Sequence, residues 1–151
     1  MVTLEELKDK LADKTRLIGL DLGTKRIGVA ICDDKRKIAT PFKTIEYRNM
    51  EHLLKELKII IKENNIFAII VGNPINMDGS FGRSAQSIND KAKIIEKELN
   101  LMIAMWDERL STSGAFNISS NLDIKFPDRK KNIDEKAAAF ILQGAIDYLN
   151  I

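Results

Sequence analysis

Residues Leu17 to Ala30 read Leu-Ile-Gly-Leu-Asp-Leu-Gly-Thr-Lys-Arg-Ile-Gly-Val-Ala, and no other stretch of the chain restricts its fold as much. An apolar run reaches one carboxylate, Asp21, turns at Gly23, and re-enters a second apolar run through Lys25 and Arg26. Two such runs with turn residues between them read as antiparallel strands. Asp21 breaks the pattern, because an unpaired carboxylate inside a packed sheet is costly to bury. Either a cation or a hydrogen-bond network compensates it, which makes a metal or phosphate site, or it caps the Gly23-Thr24 turn. The segment alone leaves both readings open.

The flanking sequence supplies the other elements. Thr3-Leu4-Glu5-Glu6 has the spacing of a capping box, with Leu4, Leu7 and Leu11 on one face, so residues 1–14 read as an accessory helix ahead of the sheet. Strands are expected at 16–21, 26–33 and 37–46, the last two joined by Asp33-Asp34-Lys35-Arg36. Pro41 in the third strand implies an edge position or a bulge. A helix over 50–64 turns Leu53, Leu54, Leu57, Ile60 and Ile61 inward. The uninterrupted apolar run 66–71 suits a strand covered on both faces and opens into a polar segment over 72–83. A helix to Leu99 and a buried strand over 101–106 follow, the strand closing in Asp107-Glu108-Arg109. A short helix at 111–120, a mobile loop over 121–132 and a last helix from Ile133 to Leu149 complete the order.

Three antiparallel strands followed by two strand-helix crossovers give an α/β architecture, a mixed five-stranded sheet with helices on both faces. At 151 residues it is expected to be a single domain. Ligands of such sheets gather at the carboxyl ends of the strands, where the connectivity changes. Asp21 ends the first strand and Asp107-Glu108 the last, and Asp134 opens the final helix, so carboxylates distant in the chain converge if the first strand is central. Crowded carboxylates repel one another unless a cation neutralises them. A hard divalent ion suits an all-oxygen set, Mg²⁺ being the usual occupant beside phosphate, whereas zinc would favour Cys or His. Strand alternation lets only one of Asp107 and Glu108 face that ion.

At this point the chain resembles a known family. Leu20-Asp21-Leu22-Gly23-Thr24-Lys25-Arg26-Ile27-Gly28-Val29-Ala30 is similar to the first motif of the YqgF/RuvX family of RNase H-like proteins. Val71-Gly72 through Met77-Asp78-Gly79-Ser80, Asp107-Glu108-Arg109-Leu110-Ser111-Thr112, and Asp134-Glu135-Lys136-Ala137-Ala138 with Ile141-Leu142-Gln143 resemble its remaining motifs, in order, over residues 16–149. The resemblance implies an RNase H-like fold and a Mg²⁺- or Mn²⁺-dependent nuclease, with Asp21, Glu108 and Asp134 as its acidic ligands. It further implies processing of the 5′ end of pre-16S rRNA in ribosome biogenesis; family members are alternatively assigned to Holliday junction resolution. The sequence departs from the family at Asn73, where an aliphatic residue is more usual, and at Gly114-Ala115-Phe116-Asn117, where an Ala-Glu pair is usual.

The formal charge of +2 is too small to predict a polyanionic partner, so nucleic-acid contacts must come from local cations. Lys25 and Arg26 adjoin Asp21, Arg83 lies at a helix start, Arg109 follows the last strand, and Arg129, Lys130 and Lys131 form the densest cluster, on the expected loop. RNA, within ribosomal precursor particles, is the favoured partner over DNA. Two rivals stand beside the nuclease: a noncatalytic RNA-binding, ribosome-associated factor, and a sugar-kinase-like phosphotransferase, which needs two such domains. The helix over 50–64 carries Lys55, Lys58, Lys62 and Glu63 on its outer face, which argues for a monomer or weak homodimer. Cys32 is the only cysteine, so no disulfide framework exists. No apolar run approaches a membrane span and no leader pattern is present, so a cytoplasmic protein is expected.

Overall fold

In the computed structural model, which describes residues 1–73, 83–107 and 133–150, strand β1 (Arg16–Leu22) occupies the middle of the sheet. Among the described residues the sheet has five strands in the order β3-β2-β1-β4-β5, with β2 at Arg26–Cys32, β3 at Ala39–Glu46, β4 at Ile66–Asn73 and β5 at Met102–Asp107. β1 pairs antiparallel with β2, and β2 with β3, whereas β1–β4 and β4–β5 are parallel. This is the expected mixed α/β sheet, a meander on one side of β1 and crossovers on the other. Pro41 sits on the edge strand and next to a bulge, because Val29 pairs with Lys43 while Ala30 pairs with Pro41.

Two strand limits differ from expectation by two residues, the others by at most one. β3 starts at Ala39 rather than at position 37, because the Asp33 carboxylate accepts hydrogen bonds from the amides of Lys37 and Ile38 at 2.8 and 2.9 Å. Those amides are thus held in the turn, and Asp33 titrates below its ordinary range as a result. β4 runs on through Gly72 and Asn73, which still pair with Trp106 and Asp107. The short helix expected at 111–120 and the loop over 121–132 lie outside the described residues.

Helices cover both faces. α2 (Met50–Asn64) and α3 (Arg83–Leu99) pack Leu53, Leu57, Ile60, Ala92 and Ile95 on Ile18, Leu20, Val29, Ile69, Val71 and Ile103. The opposite face is covered by α4 (Ile133–Leu149), with Ala138, Ile141, Leu142, Ala145 and Ile146 against Leu17, Ala30, Ala68, Ile70, Ala104 and Trp106. α1 (Leu4–Lys10) adds Leu4 and Leu7 to this second cluster, and Thr3 Oγ1 caps it by accepting from the Glu6 amide at 3.1 Å. Cys32 is buried here as a small apolar side chain.

The outer face of α2 is less charged than the sequence implied. Ile59 on α2 and Ile94 on α3 are 47% and 45% exposed and face a shallow groove rimmed by Lys55, Lys58 and Glu98. Among the described residues no helix is long and apolar enough to cross a membrane.

Candidate active site

The carboxyl end of β1 carries Asp21 on the α4 side of the sheet, since Leu17 and Gly19, four and two residues earlier, meet that helix's cluster. Its partner across the antiparallel ladder is Gly28 on β2. That glycine decides the geometry: a methyl group there would collide with the carbonyl oxygen of Asp134. Gly19 does the same one turn further along α4, where a methyl would stand 2.7 Å from Leu142 Cβ and 2.9 Å from the Ala138 carbonyl oxygen. Two glycines on neighbouring strands, one paired with Ala30 and the other with Asp21, thus let the helix backbone lie against the sheet. The first turn of α4, with Asp134 and Glu135 favourably placed at a helix N-terminus, is drawn up to Asp21.

The electrostatics follow from that approach. Burial, and after it the negative charge of Asp134, push the Asp21 carboxyl up to about 6. Among the described residues no side chain donates a hydrogen bond to it. The turn after β1 is closed by the Asp21 backbone instead, its carbonyl accepting from the Gly23 amide at 3.0 Å, so the carboxylate is not the turn's cap. Asp134 is the better compensated of the two, because Arg26 Nε donates to its Oδ2 at 2.8 Å. Glu135 accepts a long hydrogen bond from Thr44 Oγ1 at 3.3 Å and faces the meander.

Of the residues singled out in the sequence, Asp21, Arg26 and Asp134 come together. Lys25 is exposed on the adjoining turn, with its carbonyl accepting from the Tyr47 amide at 2.9 Å, and Lys91 Nζ stands 4.5 Å from the centre of the Tyr47 ring. Glu108, Arg109, Arg129, Lys130 and Lys131 lie outside the described residues, as does the side chain of Arg83 at the start of α3. Asp107 pairs with Asn73 and, by alternation from Trp106 in the α4 cluster, belongs to the α2/α3 side, away from the Asp21 face. Asn73 is 6% exposed and its Oδ1 has no hydrogen-bond partner among the described residues. Trp106 is core, as expected, stacked edge-on to Tyr148 at 6.2 Å.

Two features escaped sequence reasoning. Arg26 was legible as a cation beside Asp21 but not as the ion-pair partner of Asp134, 108 residues away. Gly28 was assigned no role; the only signal was a second glycine, Gly19, on the neighbouring strand, which has meaning once a helix is known to cross both.

Hard oxygen donors held close together, one of them depleted of hydrogen bonds, form a donor set that suits a hard divalent cation. Among the described residues no third carboxylate, cysteine or histidine joins them.

Comparison with known proteins gives a concordant result. Residues 15–148 match the family described as "RuvX: Holliday junction resolvase". A protein of Pelagibacter ubique is 64% identical over 150 residues, covering 99% of both chains, and one of Rhodobacter capsulatus is 46% identical over 133 residues, covering 88% of this chain and 84% of that protein. Both bear the name "Putative pre-16S rRNA nuclease". Among solved structures, Thermus thermophilus RuvC in complex with a Holliday junction substrate aligns with a TM-score of 0.59 at 7% identity, over 86% of this chain and 91% of that one. The yeast mitochondrial Holliday junction resolvase aligns at 0.55 and 12% identity, over 97% and 84%. At those identities the likeness is one of fold.

Proposed function

This chain belongs to the RuvX family, and we propose that it is a metal-dependent nuclease that hydrolyses a phosphodiester in the precursor of small-subunit ribosomal RNA. The observation that carries the proposal is the pair Asp21–Asp134. Two carboxylates are brought together by a glycine that permits no side chain between strand and helix, and Asp21 is left without a compensating donor among the described residues. Stability alone gives no reason for such a pair, and a cation between them does.

Asp21, Asp134 and Glu108 would hold Mg²⁺ or Mn²⁺. Alternation supports Glu108 as the third ligand, because a strand carried one residue past Asp107 returns to the Asp21 side. A bound divalent ion would supply Lewis acidity, polarising a water for in-line attack on phosphorus and offsetting charge on the leaving oxygen. The chain's own groups do the rest. Gly28 fixes how far apart the carboxylates stand, and the buried side of Asp21 keeps bulk water from that flank. Lys25 and Arg26 bind phosphates of the strand flanking the scissile bond. Arg83, Arg109, Arg129, Lys130 and Lys131 extend that track along the substrate. The relatives' names support RNA over DNA, and a precursor rRNA substrate implies action in the cytoplasm on ribosomal precursor particles. We assign the active species as a monomer or weak dimer.

The test is cleavage of two labelled substrates side by side, a precursor small-subunit rRNA and a four-way DNA junction, in Mn²⁺ and in excess chelator. Metal-dependent cutting of the rRNA, with the junction cut more slowly, is expected. Symmetric cutting of the junction with intact rRNA would reassign the substrate, and no cutting of either would leave a noncatalytic RNA-binding factor.

A further inference from the structure

The Arg26–Asp134 ion pair presents a difficulty for the site as read so far. Arg26 Nε lies 2.8 Å from Asp134 Oδ2, one of the oxygens a metal would use. A guanidinium and a divalent ion would compete for that carboxylate. The two partners are unequally placed: the Arg26 side chain is 61% exposed and that of Asp134 24%. Arg26 is therefore free to swing on its stem, while Asp134 is held by the first turn of α4. The contact uses Nε alone, and the two Nη groups have no hydrogen-bond partner among the described residues, so part of the guanidinium fork stays directed at solvent. While its charge is neutralised by Asp134 the guanidinium attracts a phosphate only weakly; released, its whole fork matches one. Arg26 also compensates only half the site, because it pairs with Asp134 and donates no hydrogen bond to Asp21.

We infer that Arg26 is a placeholder cation. Without a divalent ion it neutralises Asp134 and keeps the two carboxylates from driving the first turn of α4 off the sheet. With a divalent ion bound, Asp134 would turn its carboxylate to that ion, and the released guanidinium of Arg26 turns outward onto a phosphate of the nucleic-acid strand. Metal loading and substrate grip are then coupled through one residue: the arginine is available to the strand only when the site is charged with metal. The inference rests on the reading of Asp21 and Asp134 as metal ligands. The competing role, in which Arg26 permanently orients Asp134 for the ion, predicts the opposite sign.

Mn²⁺ binding to the intact chain, measured by calorimetry without RNA, separates these. Arg26→Gln, which removes the competing charge, is expected to bind Mn²⁺ about two- to fivefold more tightly than wild type, the scale of one partly exposed ion pair. Arg26→Lys, which keeps the charge, returns toward wild type, and Asp21→Asn loses binding. Equal or weaker binding by Arg26→Gln, with Asp21→Asn still defective, overturns the placeholder and leaves the metal site standing. Undiminished binding by Asp21→Asn overturns both. A second readout uses anisotropy of a labelled single-stranded RNA in the first seconds after mixing, over a range of salt. In Mn²⁺ the wild-type slope of log affinity against log salt should exceed that of Arg26→Gln by about 0.7, the share of one phosphate on a single strand. In chelator the two slopes should coincide. An equal difference in both conditions means that Arg26 grips the strand regardless of metal, and refutes the coupling.

Discussion

The two faces of the sheet are packed on different rules. On the α2/α3 side bulky aliphatics meet one another, Leu53, Leu57 and Ile95 against Ile18, Leu20, Val29 and Ile103, all fully buried. On the α4 side the strands offer Gly19, Gly28, Ala30, Ala68 and Ala104, and the helix offers Ala138, Gly144 and Ala145. Gly144 lies so close to the Trp106 ring that a methyl there would be 2.8 Å from it. Large side chains can repack by rotamer and absorb small shifts, but a backbone lying on glycine cannot. Both faces bury a core, since Leu17, Ile70, Ile141, Leu142 and Ile146 also pack on the α4 side, but only the second, through its glycines, also sets how near Asp134 comes to Asp21.

The largest expected effect breaks the chemistry and spares both faces. Asp21→Asn keeps the shape and removes an anionic ligand, and metal-dependent cleavage should fall by on the order of 10³. Full activity in the purified, folded variant would remove Asp21 from the site. Next comes Leu57→Ala in the aliphatic face, which should cost about 2–5 kcal/mol in chemical denaturation through lost burial and a cavity. Its turnover below the melting transition should stay within about twofold of wild type.

Gly28→Ala tests the other face. The added methyl meets the Asp134 carbonyl oxygen and must lift the first turn of α4, so cleavage should drop about 100-fold, the scale expected of a misplaced catalytic group. The stability cost should be only about 1–3 kcal/mol, an overpacking penalty. If Leu57→Ala and Gly28→Ala lose activity in the same ratio to stability, the division between the faces is wrong.

The smallest effect is one of pH. The folded Asp21 carboxyl sits at about 6, above its ordinary 3.8, so its contribution is intact where it is protonated in both states. That contribution is lost as pH rises through 6, and near neutrality the charged form costs about 2 kcal/mol after allowance for partial solvent contact. Metal-free Asp21→Asn should therefore melt above wild type at pH 7.5, and the gap should close as pH falls toward about 4. Parallel stability curves would show that the carboxylate is better solvated than its position implies.

How much of this could be read beforehand varies with sequence distance. The β1–β2 hairpin, the α2 stripe and the buried β4 run depend on neighbours within a few residues, and their limits fell close to the observed ones. Pro41 announced an edge or a bulge and stands beside both. β3 was placed two residues early because apolar pattern says nothing of an Asp33 carboxylate that captures two amides. At the site, Asp21 and Asp134 were legible as candidates from chemistry and strand order. The closeness of α4 was not, since a glycine shows its purpose only when the backbone that presses on it is known. Glu108 rests on the motif and on alternation beyond Asp107.

The ion pair between Arg26 and Asp134 joins residues 108 apart in the chain. At ribosomal speeds of about 5–20 residues per second, the second partner is made roughly 5–20 s after the first. The meander holding Asp21 and Arg26 can pair locally in that interval, but α4 must be synthesised and docked before the two carboxylates meet. A nascent or truncated chain in that state has Asp21 without Asp134 opposite it. Under the proposed function, competence to cut arrives only with the docking of α4.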